Sequence, residues 1–165
     1  MDKNITLIGM PGAGKSTVGV ILAKILSFEF IDTDILIQTK YKMSLQDIVD
    51  RYGYMRLREI EEEVTCSINP TRSVISTGGS VVYSEKSMNH LRNISIVVFL
   101  DVSFDNLLKR IKNFKTRGLA KSKDQTFYDL YIERNRLYKK YAQITVDCND
   151  INQEQVAENI VKLAF

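Results

Sequence analysis

Nine residues near the N-terminus, Gly9-Met10-Pro11-Gly12-Ala13-Gly14-Lys15-Ser16-Thr17, constrain the fold more than any other stretch of the chain. They satisfy the pattern G-x-x-x-x-G-K-[ST] at Gly9, Gly14, Lys15 and Ser16. An apolar, β-prone run, Ile5-Thr6-Leu7-Ile8, precedes them. After Lys15 the apolar residues Val18, Ile21, Leu22 and Ile25 recur at helical spacings of three and four. A strand that turns through glycines into a helix gathers backbone N–H groups around an anion, and the helix N-terminus adds the positive end of its dipole. The loop predicts nucleoside triphosphate binding by Gly12, Ala13, Gly14, Lys15, Ser16 and Thr17. Lys15 is set to reach the β- and γ-phosphates, and the Ser16 hydroxyl to ligate Mg²⁺.

The rest of the chain repeats this alternation. Strand-like runs occur at Phe28 to Ile31, Ser73 to Ser76, Ile94 to Leu100 and Gln143 to Val146. Helix-like patterns separate them, one over Tyr54 to Ile68 and one from Ser103. Another is capped by Asp124 and runs to about Tyr141, and a last one carries Val156, Ile160, Leu163 and Ala164. Ser44 followed by Asp47 reads as a capping box. Five strands alternating with helices predict an α/β fold, a five-stranded parallel sheet with helices on both faces and right-handed crossovers.

With 165 residues the chain is read as a single domain. Its 44% hydrophobic and 26% charged residues are ordinary for a globular protein and exclude a disordered chain. No stretch approaches the roughly 20 apolar residues that span a bilayer, and the first residues lack a secretory pattern, so a soluble cytoplasmic protein is expected. Cys66 and Cys148 form no metal pair or disulfide framework and read as half-buried or buried thiols. His90 has no ligand set around it, and the tyrosines from Tyr128 to Tyr141 recur at helical spacing, as packing residues do. The net charge of +3 is too small to mark a nucleic-acid binder. There is no N-K-x-D motif for reading guanine. A small phosphotransferase, a nucleotide-binding regulator and a nucleic-acid enzyme remain.

Asp32-Thr33-Asp34 ends the second strand, where ligands of parallel sheets gather. One carboxylate suits the Mg²⁺ hydration shell and the other a hydroxyl proton; a helix cap is the competing reading. Lys109 to Lys123 holds seven basic residues and no carboxylate. With Gly118, Ala120 and Ser122 in it, and few aromatic residues for base stacking, it reads as a lid at about 112–123 rather than a polynucleotide stripe.

These motifs, in order and over nearly the whole chain, resemble the shikimate kinases, small P-loop kinases related to the nucleoside monophosphate kinases. The resemblance rests on Gly12-Ala13-Gly14-Lys15-Ser16-Thr17, Asp32-Thr33-Asp34, Met55-Arg56-Leu57-Arg58-Glu59 (for F-R-x-x-E), Thr77-Gly78-Gly79-Ser80, Arg117-Gly118-Leu119-Ala120 and Arg134-Asn135-Arg136-Leu137-Tyr138. It implies strand order 2-3-1-4-5 and transfer of a phosphoryl group from ATP to the 3-hydroxyl of shikimate, with Mg²⁺ as cofactor. Asp34 would be the base, and Asp32 with Ser16 would hold Mg²⁺. Arg56, oriented by Glu59, and Arg134 would clamp the substrate carboxylate, and Gly78 and Gly79 would approach its ring. Arg110 would pack on adenine, Arg117 would act with Lys15 and Asp34 in catalysis, and Asn152 joins Arg110 and Arg117 among the ATP-binding residues. The acceptor region is expected at about 33–62, and the protein is expected to be a monomer without nucleic-acid or membrane partners.

Competing readings stand beside these. Arg56 and Glu59 also fit an exposed i,i+3 ion pair, Arg134 a solvated helix face, and Gly78-Gly79 a simple turn. Three departures bear on the acceptor: Ser80 replaces the third glycine, Met55 the usual Phe, and no proline follows Arg117. They leave open a relative acting on another hydroxy acid such as gluconate. A catalytically silent ATP-binding regulator is a further alternative.

Overall fold

The computed structural model describes residues 3–111 and 121–165. Arg117 and most of the expected lid lie outside the described residues.

The sheet has five strands, β1 (Asn4–Ile8), β2 (Glu29–Asp32), β3 (Ser73–Ser76), β4 (Ser95–Asp101) and β5 (Ile144–Asp147). They lie in the order β2-β3-β1-β4-β5, and every pairing is parallel. β1 is the middle strand and all five of its residues are buried. That burial accounts for its near-continuous apolar character, and the same holds for β4. Asn4 is one of the polar exceptions. Its Nδ2 donates to the carbonyls of Pro70 and Ile94, and its Oδ1 accepts from Ser73 N, so the starts of β1 and β3 are tied together.

The helices are α1 (Lys15–Leu26), α2 (Thr33–Tyr41), α3 (Leu45–Tyr52), α4 (Tyr54–Ser67), α5 (Glu85–Ile94), α6 (Phe104–Arg110), α7 (Phe127–Tyr141) and α8 (Gln153–Ala164). Their starts follow local side-chain chemistry. Ser44 and Asp47 form the expected capping box at α3. The box at α7 belongs to Thr126 and Asp129, which corrects the expectation that Asp124 caps it. Asp124 lies two residues ahead of the first N–H groups that need an acceptor. No helix among the described residues is long and apolar enough to cross a membrane.

The main core lies on both faces of the sheet and takes in Leu22, Phe99, Leu107, Tyr138 and Ile160. A smaller one, Ile37, Ile48, Leu57, Ile60 and Val64, joins α2, α3 and α4 into a subassembly beside the β2 edge. Register places the carboxyl ends of three strands level: Leu7 and Asp32 both stand opposite Ser76. The glycine loop, Asp32–Asp34 and Thr77–Ser80 therefore leave the sheet side by side.

Candidate active site

Those three segments, with parts of α3, α4, α6, α7 and α8, line a cavity of about 520 Å³. That is in the range of small-ligand sites. Gly12, Gly14, Lys15, Ser16, Thr17, Asp34, Gly78, Gly79, Arg110 and Arg134 all line it. Ala13 is buried behind the loop.

On the phosphate-loop side, Lys15 is buried, and its ammonium donates to Gly9 O at 2.7 Å and Met10 O at 2.9 Å. Burial lowers its pKa to about 8, against the pull of Asp34. Ser16 Oγ donates to Asp32 Oδ2 at 2.6 Å. The other carboxylate oxygen, Oδ1, accepts from Asp34 N and Ile35 N and so caps α2. Asp32 thus fulfils the helix-cap reading with one oxygen, while its other oxygen meets Ser16. Among the described residues no three acidic, histidine or cysteine side chains cluster for a metal. A hydroxyl beside one carboxylate is a donor set that suits Mg²⁺ when phosphates and waters supply the remaining oxygens.

Asp34 projects from the first turn of α2. Burial, with Asp32 close by, raises its pKa to about 6, and Lys15 pulls the other way. The glycines opposite it leave no room for side chains. A Cβ on Gly78 would come within 2.9 Å of both Asp34 Oδ1 and Glu61 Oε1, and one on Gly79 within 2.7 Å of an Arg134 nitrogen and 3.0 Å of Pro11. Side chains fix this turn from behind. Tyr138 Oη donates to Gly79 O at 2.6 Å, Thr77 Oγ1 to Leu7 O at 2.9 Å, and Gly78 N to Thr33 Oγ1 at 3.3 Å.

Arg134 is 1% exposed, so the solvated-face reading fails for it. It shares the ring of Tyr83 with a second guanidinium: Arg58 lies 3.7 Å from the ring centroid and Arg134 5.5 Å. This is where the structure departs from the sequence assignment. Arg56 does not line the cavity. It pairs on the outer face of α4 with Glu59 at 3.0 Å and Glu63 at 3.2 Å, which matches the exposed ion-pair reading. The α4 residues brought to the cavity are Leu57 and Glu61, with Arg58 beside them against Tyr83.

Glu61 is the chief residue that sequence reasoning missed. It is buried, lines the cavity, and accepts from Ser80 Oγ at 2.5 Å. Burial and the Asp34 charge push its pKa up to about 7, while Ser80, Arg134 and Lys15 act in the opposite sense. A signal was available, because Leu57, Ile60 and Val64 mark the buried stripe of α4 and Glu61 lies on it. Beside Gly14, Gln153 lines the cavity, while its neighbour Asn152 caps α8 by accepting from Gln155 N and is not part of that lining. Arg110 donates to Cys148 O at 3.0 Å on the rim. Both cysteines are free thiols, and His90 makes a hydrogen bond with Ile68 O and does not line the cavity.

Comparison with known proteins bears on this geometry as a whole. A family model described as shikimate kinase matches residues 11–164. The chain belongs to the shikimate kinase family. Among similar curated proteins, the shikimate kinase of Thermodesulfovibrio yellowstonii is 36% identical over 97% of this chain and 94% of its own length. That of Rippkaea orientalis is 42% identical over 96% of this chain and 83% of its own. Among solved structures, a shikimate kinase from Acinetobacter baumannii in complex with shikimate aligns with a TM-score of 0.91 at 31% identity. That alignment covers 98% of this chain and 92% of the other. As a shikimate kinase family member the protein is a kinase, and the expected strand order 2-3-1-4-5 is the one found.

Proposed function

We propose that this kinase transfers the γ-phosphoryl group of ATP to the 3-hydroxyl of shikimate, a step in aromatic amino-acid synthesis. The observation that carries the reading is the shared cavity of Lys15, Asp34 and Arg134: a phosphate-binding cation, a hydroxyl-binding carboxylate and a buried guanidinium for a carboxylate. The phosphate loop takes the triphosphate, with Lys15 turning from the loop carbonyls to the transferring group. Mg²⁺, held by Ser16 and Asp32, would supply charge neutralisation on the phosphate oxygens. Asp34, ionised above about pH 6, accepts the proton of the attacking hydroxyl.

For the acceptor carboxylate we assign Arg134 and Arg58, held about the Tyr83 ring, in place of Arg56. The planar guanidinium fork matches a carboxylate bidentately. Arg110 and Gln153 flank the nucleotide end, and the enzyme acts as a monomeric, cytoplasmic, single-domain kinase.

The arginine assignment is tested by steady-state kinetics. Arg134→Ala and Arg58→Ala should each raise the KM for shikimate by at least about tenfold, the loss of one charged hydrogen-bonded contact, with the KM for ATP within twofold. Arg56→Ala should leave both within about twofold. A larger effect at Arg56 than at Arg58 would return the clamp to the outer face of α4.

A further inference from the structure

The Ser80 hydroxyl is buried and donates to Glu61 Oε2 at 2.5 Å. The other oxygen, Oε1, is also buried and accepts no hydrogen bond among the described residues. It lies with Asp34 Oδ1 against Gly78, each 2.9 Å from the point a Cβ there would occupy. Glu61 and Ser80 also line a second cavity of about 190 Å³, whose lining includes Arg58, Tyr83 and Ser84. The pair is therefore shared by this side cavity and the larger one. A glycine at position 80 would have no hydroxyl, and the Glu61 side chain could then swing toward Arg58 in the side cavity.

We propose that Ser80 is a positioning residue of the acceptor site: its hydroxyl pins one oxygen of Glu61, so that the other faces the substrate beside Asp34 as an acceptor for an alcohol hydroxyl. The inference rests on the reading of the cavity as a shikimate site, but its structural half stands independently of the acceptor. The groups facing Glu61 are Lys15 of α1, Asp34 of α2, Ser80 after β3, and Arg134 and Tyr138 of α7. Ser80 donates its hydrogen bond to Oε2. Donation to a carboxylate favours its ionised form, so losing the hydroxyl raises the pH at which Glu61 ionises.

The test uses full-length protein carrying ¹³Cδ-labelled glutamate, titrated by NMR, with Glu61→Gln assigning the resonance. Ser80→Ala should move the Glu61 midpoint upward by about one pH unit, the size expected for one hydrogen bond to a charged group, and Ser80→Thr should restore it. In assays near pH 6.5, Ser80→Ala should lower kcat/KM for shikimate roughly tenfold, with the ATP KM unchanged and the deficit shrinking toward pH 9. An unmoved midpoint overturns the proposal whatever the acceptor is, as does an ATP KM that changes as much as that for shikimate. A moved midpoint in an enzyme that ignores shikimate supports the hold of Ser80 on Glu61 and removes the acceptor reading instead.

Discussion

Asp34 shows how the site sets function against stability. Its pKa of about 6 against an ordinary 3.8 means that the fold favours the protonated carboxyl. Stability contributed by that preference is fully present below the unfolded pKa and is lost as pH rises through the folded one. The gap of some two pH units corresponds to about 3 kcal/mol. Asp34→Asn should therefore raise the unfolding free energy at pH 8 by about 2–3 kcal/mol and leave it nearly unchanged at pH 4, while abolishing transfer. Denaturant titrations at the two pH values check this, and an equal gain at both would show that titration is not its cause. At this scale the sequence was informative where chemistry demands one residue type. The lysine, serine and aspartates of the loop and second strand lie where the motif puts them. It misled where two arginines stood two positions apart. Arg56 and Arg58 share a short charged stretch, and only the burial of Leu57 and Glu61 tells which face of the helix turns inward.

The elements themselves were largely legible, because each strand of a buried parallel sheet must be apolar and each helix start needs an acceptor. The helix of residues 33–41 was not, since its short amphipathic pattern is weak and its cap, Asp32, read equally as a metal ligand. Nor was the true cap of α7. Thr126 accepts from Asp129 N while Asp129 accepts from Thr126 N, and this box starts the helix that carries Arg134 and Tyr138 into the site. Thr126→Ala should cost about 1 kcal/mol and lower the Tm by about 2–4 °C. Asp124→Ala should leave the Tm within about 1 °C, as exposed substitutions usually do. Matching losses in thermal melts of the two variants would place the cap at Asp124 after all.

On the scale of the whole molecule, the parallel sheet supplies a level edge, and the α2–α4 subassembly with its own small core supplies the wall facing it. The phosphate loop, α4, α7 and the Gly78–Gly79 turn all contribute to the lining of one cavity. A single cavity lined by several elements suits transfer between two bound molecules, because it can hold both reacting groups close together. The cavity lining combines two carboxylates, Asp34 and Glu61, with the cations Arg134 and Lys15. It thereby matches a ligand with several hydroxyls and one carboxylate. The central claim is tested most directly by ADP release at fixed Mg-ATP with shikimate, with gluconate and with no acceptor. Shikimate should raise the rate at least about a hundredfold over both others, since positioning and in-line attack supply most of the acceleration. A rate with shikimate no higher than without acceptor, in protein that still binds ATP, would contradict the assignment of this cavity to shikimate.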